Sequence, residues 1–139
     1  METFFNPRSV AVIGASNSPF NLGSTICRSL KEFSMWNGDV FAVNRKAEEV
    51  CGCPGYGSVT DIPQEVELAV IITPAAVVSQ FVEQCAEKGI KHVIIESSGF
   101  SEGGEQGRAM QRRLDEIARE SGMRIIGPNC LGVLDTSSK

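Results

Sequence analysis

Long apolar runs are missing from this sequence. None comes near the ~20 residues that a bilayer-spanning helix requires, which argues against a transmembrane helix. An excess of positive charge is missing as well: 13 Lys and Arg stand against 17 Asp and Glu, a formal charge of -4. The basic residues are scattered, and the densest spot, Arg112 and Arg113, falls inside a helical pattern that reads as a solvated face. Phosphate-backbone binding needs clustered cations, so no nucleic-acid partner is expected. The opening residues, METFFNPRSV, lack a basic start followed by a long apolar stretch. No secretory signal is read there, and the expected location is the cytoplasm. Histidine occurs once, as His92, and tyrosine once, as Tyr56. The cysteines number 5, an odd count, and CGC at residues 51–53 is C-x-C with no second pair or histidine near it. Reduced thiols are the expectation, with no metal site. No phosphate-binding G-x-x-x-x-G-K-[ST] sequence, internal repeat or low-complexity linker is present.

What is present alternates. With 139 residues, 42% hydrophobic and 22% charged, the chain has the size and composition of one globular domain. Short apolar runs rich in Val and Ile occupy residues 9–15, 40–43, 67–73, 92–96 and 124–127. Unbroken runs of this kind suit strands buried on both faces, as in a parallel sheet. Helical patterns lie between them. Residues 22–35 place Ile26, Leu30 and Phe33 on one side, with Met35 and Trp36 at the end as core or domain-contact residues. In TPAAVVSQFVEQCAEKG, Thr73 can cap, Pro74 fits the first helical position, and Val78, Phe81, Val82 and Cys85 form an apolar face. Gly89 closes that helix, and Gly122 closes the next, which carries Met110, Leu114, Ile117 and Ala118 on one side. A short helix is expected at residues 62–66. The repeated strand–helix order predicts an α/β fold: a Rossmann-like, doubly wound, mostly parallel sheet with helices on both faces. The polar end, DTSSK, is expected to fray or lead elsewhere.

Ligands of such sheets bind beyond the carboxyl ends of the strands. The segments there are GASNSPFNLG, NRKAEEV, TPAAV, SSGFSEGG and GPNCLG, all rich in Gly, Ser, Asn or Pro. In the first, Gly14 permits a tight turn, Ser16, Asn17 and Ser18 offer polar groups, and Gly23 sits at a helix start where anions are favoured. The dinucleotide spacing G-x-G-x-x-G is absent, so a plain connection capped by Ser18 or Asn21 fits as well. The second strand ends in Asn44, Arg45 and Lys46, where an NAD site would place Asp or Glu. Basic residues there suit a ribose phosphate, found on the 2' oxygen of NADP and the 3' oxygen of coenzyme A; solvated loop charges are the simpler alternative.

Taken in order, VAVIGAS, FAVNRKAEEVCG, ELAVIITPAAVV, GIKHVIIESSGFSE and MRIIGPNCLGV closely resemble the N-terminal CoA-binding domain of NDP-forming acyl-CoA synthetases, the ADP-forming acetate–CoA ligase group. The succinyl-CoA synthetase α subunit is a more distant relative. The resemblance spans roughly residues 5–135, and GPNCLG and SSGFSE are its most specific pieces. It implies that coenzyme A is the ligand. Carried over by position, Ser16, Asn17 and Ser18 would contact its phosphates, with Gly14 and Gly23 shaping the turn and Lys46 near the adenosine phosphate. Thr73, Pro74 and Ala75 would wall the adenine or pantetheine path. Glu96, Ser97 and Ser98 would line the groove toward the thiol, Gly99 would permit the turn, and Asn129 and Cys130 would lie near acyl transfer. Arg45 departs from the family, where many relatives carry proline.

The family's full reaction also uses a phosphohistidine domain and an ATP-grasp domain. His92 opens the fourth strand, on the side away from the ligand edge, and reads as a strand-start residue rather than a phosphoryl carrier. Cys130 reads as a packing residue, since no histidine is placed to activate it. The expectation is therefore one CoA-binding domain over residues 1–139, a part of a larger synthetase that is not catalytic alone. Two alternatives stand beside it: a stand-alone CoA-binding regulatory protein, and an NADP-binding oxidoreductase domain.

Overall fold

The computed structural model of the chain describes residues 2–33 and 36–133, the side chain of Phe33 excepted. Met35 and the polar DTSSK end lie outside the described residues.

Each Val- and Ile-rich run forms a strand, as its β-branched composition favours. These are β1 (Ser9–Ile13), β2 (Asp39–Val43), β4 (Leu68–Ile71), β5 (His92–Ile95) and β6 (Arg124–Ile126). A two-residue strand, β3 (Gly55–Tyr56), was not anticipated. It pairs Gly55 with Ala42 and Tyr56 with Val43, so it extends the sheet by one short edge. The 6 strands are all parallel in the order β3-β2-β1-β4-β5-β6. This is the Rossmann-like α/β order, whose direction of winding reverses between β1 and β4.

Alternation along the strands sends side chains to two separate cores. Ala11, Ile13, Phe41, Val43, Ala69, Ile71, Val93 and Ile95 meet α3 (Ala75–Lys88) and α4 (Glu105–Ser121). Val10, Val12, Val40, Ala42, Leu68, Val70 and Ile94 face the other way. That side carries α1 (Glu2–Phe5) and α2 (Leu22–Arg28), which add Phe4 and Cys27 to the core. Helices therefore lie on both faces, as the doubly wound reading expects. Arg112 and Arg113 sit on the solvent side of α4, paired with Glu105, Glu83 and Glu116.

Local differences have physical causes. The short helix expected at residues 62–66 is displaced to a single 3-10 turn, Val59–Asp61, capped by the Ser58 hydroxyl. Pro63 follows Ile62 and pushes it to an extended ψ of 118°, which ends the turn. The helix expected over residues 22–35 is α-helical only to Arg28 and widens into a π-type turn over Ser29–Phe33. Pro74 occupies the cap of α3, one place before its expected position, and no side chain caps that end. Helices α3 and α4 both terminate at left-handed glycines, Gly89 and Gly122.

Candidate functional site

The winding reversal leaves a crevice at the carboxyl edge, and three connections build its walls. The first follows β1. Gly14 has φ +99°, and a Cβ on it would lie 2.1 Å from the Ile72 carbonyl oxygen, so the turn admits no side chain there. Gly23 solves a different problem: its absent Cβ would fall 2.6 Å from Ala15 Cα, so glycine lets α2 sit against the strand end. Asn21 holds the connection closed. Its Oδ1 accepts from the Ser16 and Ser24 N–H groups at 3.0 and 2.8 Å, and its Nδ2 donates to the Gly14 carbonyl at 3.1 Å. The start of α2 is thus capped by the chain's own Asn21.

The second connection follows β2. Asn44 Oδ1 accepts from the Lys46 and Glu48 N–H groups at 3.2 and 3.1 Å, and its Nδ2 donates to the Glu48 carbonyl at 2.9 Å. This side-chain turn sets Arg45 and Lys46 outward in solvent, with Lys46 Nζ 3.7 Å from Glu48 Oε1. Asn17 Nδ2 donates to the Glu49 carbonyl at 2.8 Å and ties this connection to the first. The third follows β4. The Thr73 N–H donates to Ser97 Oγ at 3.2 Å, while the Thr73 hydroxyl is buried without a hydrogen-bond partner among the described residues.

Together these connections enclose a cleft of about 800 Å³. Seven of the anticipated residues line it: Gly14, Ser16, Asn17, Ser18, Lys46, Thr73 and Pro74. The other five do not. Gly23 is buried beneath the turn. Ser97 is buried as a tie, accepting from Thr73 through Oγ and from the Asn129 N–H through its carbonyl at 2.9 Å. Ser98 and Asn129 are exposed beyond the lining. Glu96 faces a second groove of about 340 Å³ on the α1/α2 side, among Phe4, Ile26, Leu30 and Trp36. Burial pushes its carboxyl above the usual glutamate range.

The sequence reading missed one wall. Val77, Gln80, Phe81 and Gln84 of α3 line the cleft opposite the loops. Their spacing of three and four residues, directly after the end of β4, was the available signal. Glu48 was also missed, and it brings a carboxylate beside Lys46.

Two other residues stand outside this cleft. His92 begins β5 at the far edge, its ring edge-on to Phe4 at 5.0 Å, and burial first among several causes lowers its pKa. Cys130 Sγ lies 3.5 Å from the Ile95 carbonyl, closing the loop after β6. Among the described residues, no helix is long and apolar enough to cross a membrane.

A cleft at the reversal point, with a glycine cradle, a basic pair and an orphaned hydroxyl, suits a phosphorylated ligand. The family model described as "CoA binding domain" matches residues 8–136. The chain belongs to the CoA-binding domain family. Coenzyme A is the ligand of that family, and the residues around the cleft fit its charge. The chain is 49% identical over 136 residues to the Pyrococcus furiosus protein "Acetate–CoA ligase [ADP-forming] II subunit alpha", covering 98% of this chain and 29% of the relative. Among solved structures, the apo form of a dinucleotide-forming acetyl-coenzyme A synthetase from Ca. Korarchaeum cryptofilum aligns with a TM-score of 0.87 at 37% identity, covering 94% of this chain and 28% of that one. A hypothetical protein from Pyrococcus horikoshii OT3 aligns at 0.75 and 28% identity, covering 94% of this CoA-binding chain and 82% of the other. The chain thus spans under a third of the ligase and synthetase chains, but most of the hypothetical protein.

Proposed function

We propose that this chain is the coenzyme A-holding domain, residues 1–139, of a larger NDP-forming acyl-CoA synthetase in the cytoplasm. Ser16, Asn17 and Ser18 hold the phosphates, Lys46 holds the 3'-phosphate, and Thr73 and Pro74 wall the path of the ligand. Gly14 gives the ligand close access to the sheet edge. Ser97 and Asn129 keep the neighbouring connections in place, and Glu96 and Ser98 stand beyond the cleft on the way to the thiol. When bound, the coenzyme supplies the thiol that accepts an acyl group from an acyl phosphate made elsewhere. The chain's own contribution is positioning, which lowers a barrier by fixing geometry. Its partners are the phosphohistidine and ATP-grasp parts of the same synthetase, as domains or subunits.

One observation carries the reading: the polar loop after β1 and the basic pair after β2 open on the same cleft. Family membership favours coenzyme A over NADP as the phosphorylated ligand. A second reading, a CoA-binding regulatory protein that works without the rest of a synthetase, is favoured by the length of the hypothetical P. horikoshii protein, of which this chain covers 82%.

Thermal unfolding with coenzyme A, desulfo-CoA, NADP or NAD tests the proposal. At ~100 times its dissociation constant a ligand adds about 2.7 kcal/mol of stability. Both CoA compounds should stabilise the chain, and removal of the 3'-phosphate should abolish most of the shift. Stabilisation by NADP alone would overturn the reading.

A further inference from the structure

The two walls of the cleft differ in chemistry. The loop wall offers hydroxyls, amides and the basic pair Arg45 and Lys46. The α3 wall offers two apolar side chains, Val77 and Phe81, with two carboxamides, Gln80 and Gln84, at the same four-residue spacing. An apolar surface edged by amides suits a flat heterocycle with a polar rim, and carboxamides are the side chains that pair best with adenine.

Gln84 is not free to turn. Its Oε1 accepts from Ser58 Oγ at 3.0 Å. Ser58 is itself fixed, because Oγ caps the Val59–Asp61 turn by accepting from the Thr60 N–H at 3.2 Å. The oxygen of Gln84 is therefore committed and its NH2 remains to donate. Ser58 follows β3, which pairs with the end of β2, so Gln84 stands on the side of the cleft that carries Lys46. A base attached to a ribose whose 3'-phosphate meets Lys46 falls on that side.

We infer that this wall reads the adenine base: Val77 and Phe81 cover its face, Gln84 donates through its NH2 to N1, the ring nitrogen beside the 6-amino group, and Gln80 accepts from the 6-amino group through its carboxamide oxygen. This rests on coenzyme A occupying the cleft, and it names the residues that select the purine. Hypoxanthine presents a carbonyl in place of the 6-amino donor and a protonated N1 in place of the ring acceptor, and so breaks both bonds.

Calorimetric titration of the chain with coenzyme A and with its hypoxanthine analogue tests the inference. The wild-type chain should bind coenzyme A about tenfold more tightly, the worth of one or two neutral hydrogen bonds. Gln84→Met should shrink that preference, Gln80→Met with Gln84→Met should remove it, and both variants should retain dependence on the 3'-phosphate. Ser58→Ala, which releases the Gln84 oxygen, should shrink the preference and leave the side chain of Gln84 in place. Phe81→Ala should weaken both ligands alike. Equal wild-type affinities, or a preference that survives Gln80→Met with Gln84→Met, would overturn the inference and leave the functional reading standing. Failure of coenzyme A itself to bind would overturn both.

Discussion

The two edges of the sheet treat their polar groups in opposite ways. At the amino edge, among the described residues, polar groups of the connections pair with one another. Arg8 donates its backbone N–H to Glu67 at 2.7 Å and pairs with the same carboxylate through its guanidinium. Ser9 Oγ donates to the Glu65 carbonyl at 2.9 Å and accepts from the Glu67 N–H at 3.0 Å. Lys91 Nζ reaches the Ser121 carbonyl at 2.6 Å, and the Trp36 indole N–H donates to the Pro7 carbonyl. At the carboxyl edge the frame is equally closed, through Asn21, Asn44 and Ser97, but the groups it presents are not. The Thr73 hydroxyl has no partner among the described residues, Arg45 is exposed, and Lys46 is exposed with Glu48 Oε1 3.7 Å away. The candidate site lies where a closed frame leaves bonding capacity unspent.

Substitutions at the two edges should therefore part stability from binding. The largest effect is expected from Gly14→Ala. With φ +99° and the Ile72 carbonyl 2.1 Å from the new Cβ, it should cost about 3 kcal/mol in denaturant unfolding and abolish coenzyme A binding together. Asn21→Ala comes next, because it removes a helix cap and two further loop hydrogen bonds; about 2 kcal/mol of stability should be lost, with weaker binding. Lys46→Ala should leave the melting temperature of the free chain unchanged and lower coenzyme A affinity by about tenfold, with no effect on dephospho-CoA. Arg8→Ala should do the reverse, lowering the melting temperature slightly without touching affinity.

The smallest effect concerns pH. Burial raises the Glu96 carboxyl above its ordinary range, so the folded chain holds that proton more tightly than the unfolded chain. The resulting stability is present in full below the ordinary glutamate value of about 4.3 and is lost as pH rises through the raised value. Glu67 behaves oppositely: hydrogen bonds from Arg8 lower its pKa, and the stability they bring is present above the ordinary value and lost as pH falls through the lowered one. Glu96→Gln should accordingly raise the melting temperature at pH 7 by ~1–2 °C, and the difference from wild type should vanish below about pH 4.

Much of this architecture was legible in the sequence because its signals are local. β-Branched runs marked five of the strands, and glycines after Lys88 and Ser121 marked two helix ends. The strand β3 was not legible, since Gly55 and Tyr56 carry no run of their own and pair only because β2 offers an edge. The loop wall of the cleft followed from the rule that parallel sheets bind ligands at their carboxyl ends. The α3 half did not, because Phe81 reads as core beside Val78 and Val82, and only the three-dimensional packing turns it partly into the cleft. Glu96 could have been placed by parity: it shares the side of Ile94, which faces α1 and α2, rather than that of Ile95.

The central claim is that coenzyme A occupies the carboxyl-edge cleft, and amide chemical-shift mapping during a coenzyme A titration tests it most directly. The account predicts saturable shifts at Ser16, Asn17, Ser18, Arg45, Lys46, Thr73 and the Val77–Gln84 face of α3, with Arg8, Glu67 and Lys91 still. Shifts confined to Phe4, Ile26 and Leu30 around the second groove, or no shifts at all, would contradict it.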